Sequence, residues 1–290
     1  MLPAELEREI FELCALYWPN SIPRLLLVAH RVNEWIGPML YRTLLVGDHP
    51  SFAKQIFGAT FPVYPDERVA ALDKNSPPSS LAAVRHLFLS SFDGSRDGRL
   101  LAVCVNVENL SLMETDSDAA WTPLISCLPL KHLYTCNFIP GLTLAHLTHL
   151  EIRHISPCLE ELASIPRLTH LSVFDTHCAI FSQLLRMCTG LRVLIGQYPF
   201  EKDTAELAQD VRFVLTDCGN HIGDWYMGTQ WGNDYWHRAE IFIAKRRARE
   251  IDPLQFRMDD ESPASLLMQP HPAVFSPRAI RTTTLGVCLV

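Results

Sequence analysis

Long apolar runs are missing from this chain of 290 residues. The densest, Leu25-Leu26-Leu27-Val28-Ala29, falls far short of the ~20 residues a membrane-spanning helix needs. Positive charge is also scarce. Lys and Arg total 25 against 32 Asp and Glu, for a net charge of −7. That balance disfavours a general nucleic-acid binder, whose affinity comes from neutralising phosphates. Nine cysteines are present, an odd number with no CxxC pair, and most lie in apolar runs such as 101–105. This usage fits buried thiols in a reducing compartment better than a disulfide framework or a structural zinc site. The start, Met1-Leu2-Pro3-Ala4-Glu5, lacks the basic and apolar regions of a secretory signal. A cytoplasmic or nuclear location is therefore expected, and the sequon Asn109-Leu110-Ser111 is expected to go unused. GxSxG, GxxxxGK[ST], GxGxxG and HExxH are all absent, which argues against the corresponding enzyme classes. Asp217, Cys218 and His221 are near one another in sequence, but such proximity is common. The expectation is a protein that is not an enzyme and needs no cofactor.

The sequence is rich in one repeated pattern. A template of aliphatic-x-x-aliphatic-x-(aliphatic or small) occurs seven times, first as Val84-Arg85-His86-Leu87-Phe88-Leu89 and last as Val211-Arg212-Phe213-Val214-Leu215-Thr216. Its central aliphatic falls at 87, 110, 133, 150, 171, 194 and 214, at intervals of 23, 23, 17, 21, 23 and 20. Those intervals lie near the 20–29 residues of leucine-rich repeats. Between templates, 99–105, 156–165, 179–188 and 201–209 carry apolar residues at helical spacing. Ser156 is placed as a helix cap with Pro157 at the first helical position. A strand-plus-helix unit cannot bury its own apolar face, so the units are expected to stack into a solenoid. The Asn or Cys usual five residues after the central Leu is missing throughout, which predicts an irregular horseshoe.

The fold expected is thus α/β, with parallel strands on one face and short helices on the other. Residues 1–46 read as a helical cluster, 47–82 as a connector, 83–216 as the repeats, 217–252 as a C-terminal cap and helix, and 253–290 as a tail of uncertain order. A helix is expected from about Asp234 to Arg249, its basic end (Lys245, Arg246, Arg247, Arg249) solvated and matched to the helix dipole. Trp225, Tyr226, Trp231, Tyr235 and Trp236 are expected to seal the open end of the solenoid.

Template positions three and five project opposite the buried aliphatics, because strand side chains alternate. These positions bring His86, His132, His149 and His170 together with Phe88, Tyr134 and Glu151. The seven are expected to form an accessible, concave substrate-binding face. Adjacent strands lie ~4.8 Å apart, so neighbouring histidines should stack. Three such imidazoles could hold zinc, but an exposed polar ladder without metal is the simpler expectation. An intermediate reading is a recognition surface that titrates between about pH 5 and 7.

The first 46 residues carry an apolar stripe on one helix: Leu2, Leu6, Ile10, Leu13 and Cys14, with four glutamates largely off it. Together with Pro3, Leu26-Leu27-Val28, Trp35 and Pro38-Met39-Leu40-Tyr41-Arg42, this run resembles an F-box. More narrowly, the chain looks like the fungal F-box-like proteins that join that motif to degenerate leucine-rich repeats. Asp224-Trp225 and 234–240 resemble that family's C-terminal region. The resemblance implies a non-enzymatic substrate receptor of a cullin–RING ubiquitin ligase. Leu2, Pro3, Leu6 and Ile10 would be the first-helix contacts to a Skp-type adaptor. Leu26, Val28 and Trp35 would be later contacts or supports, and the repeats would hold an unidentified protein substrate. The alternative is a leucine-rich-repeat scaffold whose N-terminal helices only cap the solenoid.

Overall fold

Each template turns into the sheet at its third residue. In the computed structural model, which describes residues 2–18, 21–47, 63–64, 78–90, 94–113, 122–139, 141–154, 159–174, 177–197, 205–216 and 221–258, the strands are β3 (His86–Leu89), β4 (Asn109–Leu112), β5 (His132–Asn137), β6 (His149–His154), β7 (His170–Phe174), β8 (Val193–Gln197) and β9 (Phe213–Thr216). The sequence did not place two further strands in this sheet, β1 (Thr43–Val46) and β2 (Val63–Tyr64). All pairings are parallel, in the order β2-β1-β3-β4-β5-β6-β7-β8-β9. Apart from the two-residue edge strand β2, every strand therefore lies beside its sequence neighbour. The molecule is a mixed α/β protein built on one parallel sheet.

The register aligns the template row for row. Leu44, Leu87, Leu110, Leu133, Leu150, Leu171 and Leu194 are successive cross-strand partners. The leading aliphatics Val84, Val107, Leu130, Leu147, Leu168 and Leu191 join them in one core. After the one-turn helix α4 (Pro78–Leu81), short helices on this side complete it: α5 (Gly94–Val103), α6 (Thr122–Ser126), α7 (Leu159–Ser164), α8 (Cys178–Met187) and α9 (Ala205–Gln209). They contribute Leu100 and Leu101, Ile125, Leu162, Phe181 and Leu184, and Leu207, respectively. The expected cap at Ser156 lies outside the described residues.

Two details correct the sequence reading. In the last repeat Leu194 pairs with Phe213, not Val214, so the register slips by one residue. Phe213 and Leu215 then enter the main core, while Val214 turns to the opposite face, as strand alternation requires. The bulk of Phe213, edge-on to Phe181 at 5.3 Å, takes the place the template gave to an aliphatic. At the other end, Tyr41 fills the leading template position ahead of Leu44 and packs on the same core. An aromatic in that position hid the repeat. The segment expected as a connector also gives a strand, β2, to the sheet edge.

The N-terminal cluster has a core of its own. Helices α1 (Ala4–Tyr17), α2 (Ile22–Leu25) and α3 (His30–Ile36), with a 3-10 helix (Gly37–Tyr41), bury Ala15, Ile22, Val32 and Ile36. Among the described residues no helix is long and apolar enough to cross a membrane. Among the described cysteines, Cys104 and Cys188 are buried.

The face expected to be open is covered. Helix α10 (His221–Trp231) and helix α11 (Tyr235–Ala248) lie on it. Asp234 caps α11 by accepting from His237 N at 3.0 Å, close to the start expected. The aromatics therefore cover a face of the sheet instead of sealing its end. Leu45 and Phe88 pack with Ile222, Trp225 and Tyr226. Val193, Ile195 and Val214 pack with Tyr235, Trp236, Ala239 and Ile243. Trp231 stays exposed. The two helices approach closely at Gly228, where a Cβ would stand 2.9 Å from the Cβ of Asp234. Gly228→Ala is expected to cost about 1–3 kcal/mol in thermal unfolding by forcing the pair apart. An unchanged midpoint would show that the helices slide without penalty.

Candidate functional site

Between its two apolar patches the covered face is polar. His86, Asn109, His132, His149, His170 and Val193 are successive cross-strand partners at the strand starts. The imidazoles of His132 and His149 stack at 4.0 Å and 9°, and those of His149 and His170 at 4.0 Å and 13°. The column exists as expected. Its accessibility does not: Phe88, Tyr134, Glu151 and His170 are buried, and His86, His132 and His149 are half-buried. The indole of Trp236 stands edge-on to both His149 and His170. The substrate surface expected from sequence is the underside of α10 and α11.

Threonine hydroxyls hold two of the histidine rings. Thr148 Oγ1 donates to Lys131 O at 3.1 Å and lies 2.8 Å from His149 Nδ1. The hydroxyl thus bridges ring and carbonyl, and the side to which it gives its proton sets the tautomer of the ring. Thr169 repeats the arrangement with Thr148 O and His170 Nδ1. The Thr-His pairs at 148–149 and 169–170 were the signal for this device, overlooked in sequence. His170 Nε2 then faces Glu240 Oε1 of α11 at 3.2 Å. Parallel rings direct their ring-plane lone pairs side by side, so they do not converge on a metal. Among the described residues no group of three potential ligands is placed to hold one.

Below the helices, His132, Tyr134, His149, Glu151, His221 and Asp224 help line a cavity of about 30 Å³, the size of one or two water molecules and too small for a substrate. Glu151 is its centre. Tyr235 Oη donates to Oε2 at 2.5 Å, Gln197 Nε2 donates to Oε1 at 3.0 Å, and His221 Nδ1 is 3.4 Å away. Gln197 also donates to Ser172 Oγ at 2.8 Å. Asp224 accepts from Arg238 at 2.6 Å and from Tyr235 N at 2.8 Å. Trp225 Nε1 donates to Asn109 Oδ1 at 2.7 Å, which engages the amide of the sequon residue.

Burial dominates the protonation of this cluster. It holds the Glu151 carboxyl up at about 7 despite its two donors, and Asp224 up at about 6 despite Arg238. It holds His86 down at about 3, and His132 and His221 down at about 4. His149 and His170 are lowered as well, His149 by burial and by the charges of its two neighbours, His170 by burial in spite of Glu240. Glu151 and His221 thus meet as two groups each biased to its neutral form.

The N-terminal residues lie elsewhere and in the open. Leu6 and Ile10 are 48% and 47% exposed, and Leu2, Pro3, Leu13, Leu27 and Val28 are exposed too. Leu26 and Trp35 pack against the cluster's own core. Of the sequence cluster Asp217, Cys218 and His221, only His221 is among the described residues, and it points at Glu151. The chain matches no family model, no curated protein and no solved structure.

Proposed function

We propose that this chain is a non-enzymatic interaction protein, a substrate receptor whose F-box-like helices dock a Skp-type adaptor of a cullin–RING ubiquitin ligase. In this reading the sheet is an irregular leucine-rich-repeat solenoid. The observation that carries it is the bare apolar stripe of α1. Leu2, Leu6, Ile10 and Leu13 stay exposed although the helical cluster already closes around Ala15, Ile22, Val32 and Ile36. The 3-10 helix makes the cluster's contact with β1, so the stripe is not needed to cap the sheet. A row of exposed aliphatics on a folded helix suits a helix-in-groove contact, in which a few desolvated anchors set affinity. Leu27 and Val28 are further exposed aliphatics of the cluster; Leu26 and Trp35 pack against its core.

Leu6→Asp with Ile10→Asp tests this reading. Both residues are exposed, so thermal unfolding of the full chain should hardly change. Capture of purified Skp-type adaptor should fall at least ~100-fold, because two carboxylates would be desolvated in an apolar groove. Parallel loss of folding and capture would favour the capping role.

A further inference from the structure

We propose that α10 and α11 form an acid-released cover, driven off the sheet when the histidines of the interface take up protons. The inference stands on the sheet and its covering helices and does not rest on adaptor docking. The cover lacks a continuous apolar seam. Its apolar anchors form two separate patches, one around Phe88 and Trp225 and the other around Ile195 and Trp236. Between them lie His132, His149 and His170 in one stack, with His86 on β3 and His221 on α10 in the same layer. Five imidazoles therefore share a single interface.

That interface resists protonation, least at His170, which has a carboxylate partner, and most inside the stack. On His170, Nε2 already faces Glu240 Oε1 at 3.2 Å, so the protonated ring forms a charge-assisted bond there. His149 sits 4.0 Å from His132 on one side and from His170 on the other, beneath the ring of Trp236. A second charge in that stack meets a like charge. The strand starts add Arg42, Arg85, Lys131 and Arg192 against Glu108, and Arg153 on β6 adds a positive charge near His221. Tyr134 on β5 faces the interface without charge. Glu151 on β6 is engaged by Tyr235 and Gln197. On the helices, Asp224 is engaged by Arg238, and Asp234 caps α11.

The histidines are held below their ordinary value, so the covered state binds fewer histidine protons than the released state once pH falls below about 6.5. Glu151, Asp224 and Asp234 are held above theirs, so release frees up to three protons over the same range. Five histidines against three carboxyls leave about two protons taken up on release, and the equilibrium then shifts roughly 100-fold per pH unit between about 6 and 4.5. Release bares His86, Phe88, His132, Tyr134, His149 and His170 together, the face that the repeats were expected to present.

Hydrogen exchange by mass spectrometry on the full chain, from pH 7.5 to 4.5 and corrected for intrinsic rates, reads this directly. Peptides from 221–248 should lose protection at a higher pH than peptides from 132–152 and 168–174. Glu240→Gln, at an exposed position, removes the partner of protonated His170 in the covered state. It should raise the release midpoint by about 0.3 pH unit. His170→Gln removes one proton acceptor; it should lower the midpoint and reduce the steepness to roughly tenfold per pH unit. Opposite shifts from the two variants support the cover. Simultaneous loss of protection in helices and strands overturns it, as does a midpoint that Glu240→Gln leaves in place. If His170→Gln fails to fold, Glu240→Gln decides alone.

Discussion

Arg246→Met is expected to remove on the order of 3–5 kcal/mol from the unfolding free energy, enough to unfold a marginal domain. Arg246 is 1% exposed, yet it sits in the basic run at the end of α11. Its guanidinium makes five hydrogen bonds to four backbone carbonyls. Nε and one terminal nitrogen donate to Pro253 O at 3.0 and 2.9 Å. The other donations reach Ala208 O at 2.7 Å, Val211 O at 3.2 Å and Phe213 O at 2.7 Å. One side chain thus joins α11, the turn after α9, the start of β9 and the segment beyond α11. Methionine keeps the apolar stem and leaves those carbonyls without the donors, each costing about 1–3 kcal/mol where water cannot replace them. Arg246→Lys should be intermediate, since an ammonium has three donors and no planar fork. Urea unfolding gives the measurement. A loss below ~1 kcal/mol for Arg246→Met would mean that solvent already serves the carbonyls.

This residue shows what was legible in the sequence and what was not. The basic cluster 245–249 suggested a solvated helix end, and Lys245, Arg247 and Arg249 are indeed exposed. Arg246 differs because it falls on the stripe of Ala239 and Ile243, at i, i+4 and i+7, which turns inward. The helical spacing held that information, but residue type outweighed it. The template succeeded where one rule governed each position. Twelve aliphatics from Val84 to Leu194 all enter one core, because alternation in a parallel strand leaves no other face for them. It failed at its ends, where Tyr41 and Phe213 replaced aliphatics of the same role. The histidine column was legible for the same reason as the core. Its burial was not, because the cover comes from residues 221–248, and periodicity within a repeat says nothing about which distant segment packs on it. The tail was legible least, although its first residues pair with β9: Leu215 N donates to Phe256 O at 2.8 Å, and Met258 N to Leu215 O at 2.9 Å.

Glu151→Gln is expected to stabilise the protein at pH 8 by about 2–3 kcal/mol and to give no gain near pH 4.5. Glu151 is buried beneath α10 and α11 with its carboxyl held up at about 7, against 4.5 in the unfolded chain. A raised carboxyl favours the folded state only while it is protonated. Its contribution is complete below pH 4.5 and drains away as pH rises through 7, at about 1.4 kcal/mol per unit. Above that the wild type keeps a buried carboxylate that accepts from Tyr235 and Gln197 among the described residues. The amide of Glu151→Gln has no charge to desolvate. Its oxygen still accepts from Gln197, and its nitrogen can donate to Tyr235 Oη, so the layer stays bonded. Urea unfolding of both proteins at pH 4.5 and pH 8 gives the difference. Stabilisation confined to the higher pH places an ionised group under the cover. An equal effect at both would mean that Glu151 stays protonated, or reaches water, across the whole range. The histidines carry the opposite sign, losing their contribution as pH falls below 6.5, and Glu151→Gln leaves all five in place. The acid limb of the stability curve should therefore persist in the variant while its alkaline limb flattens.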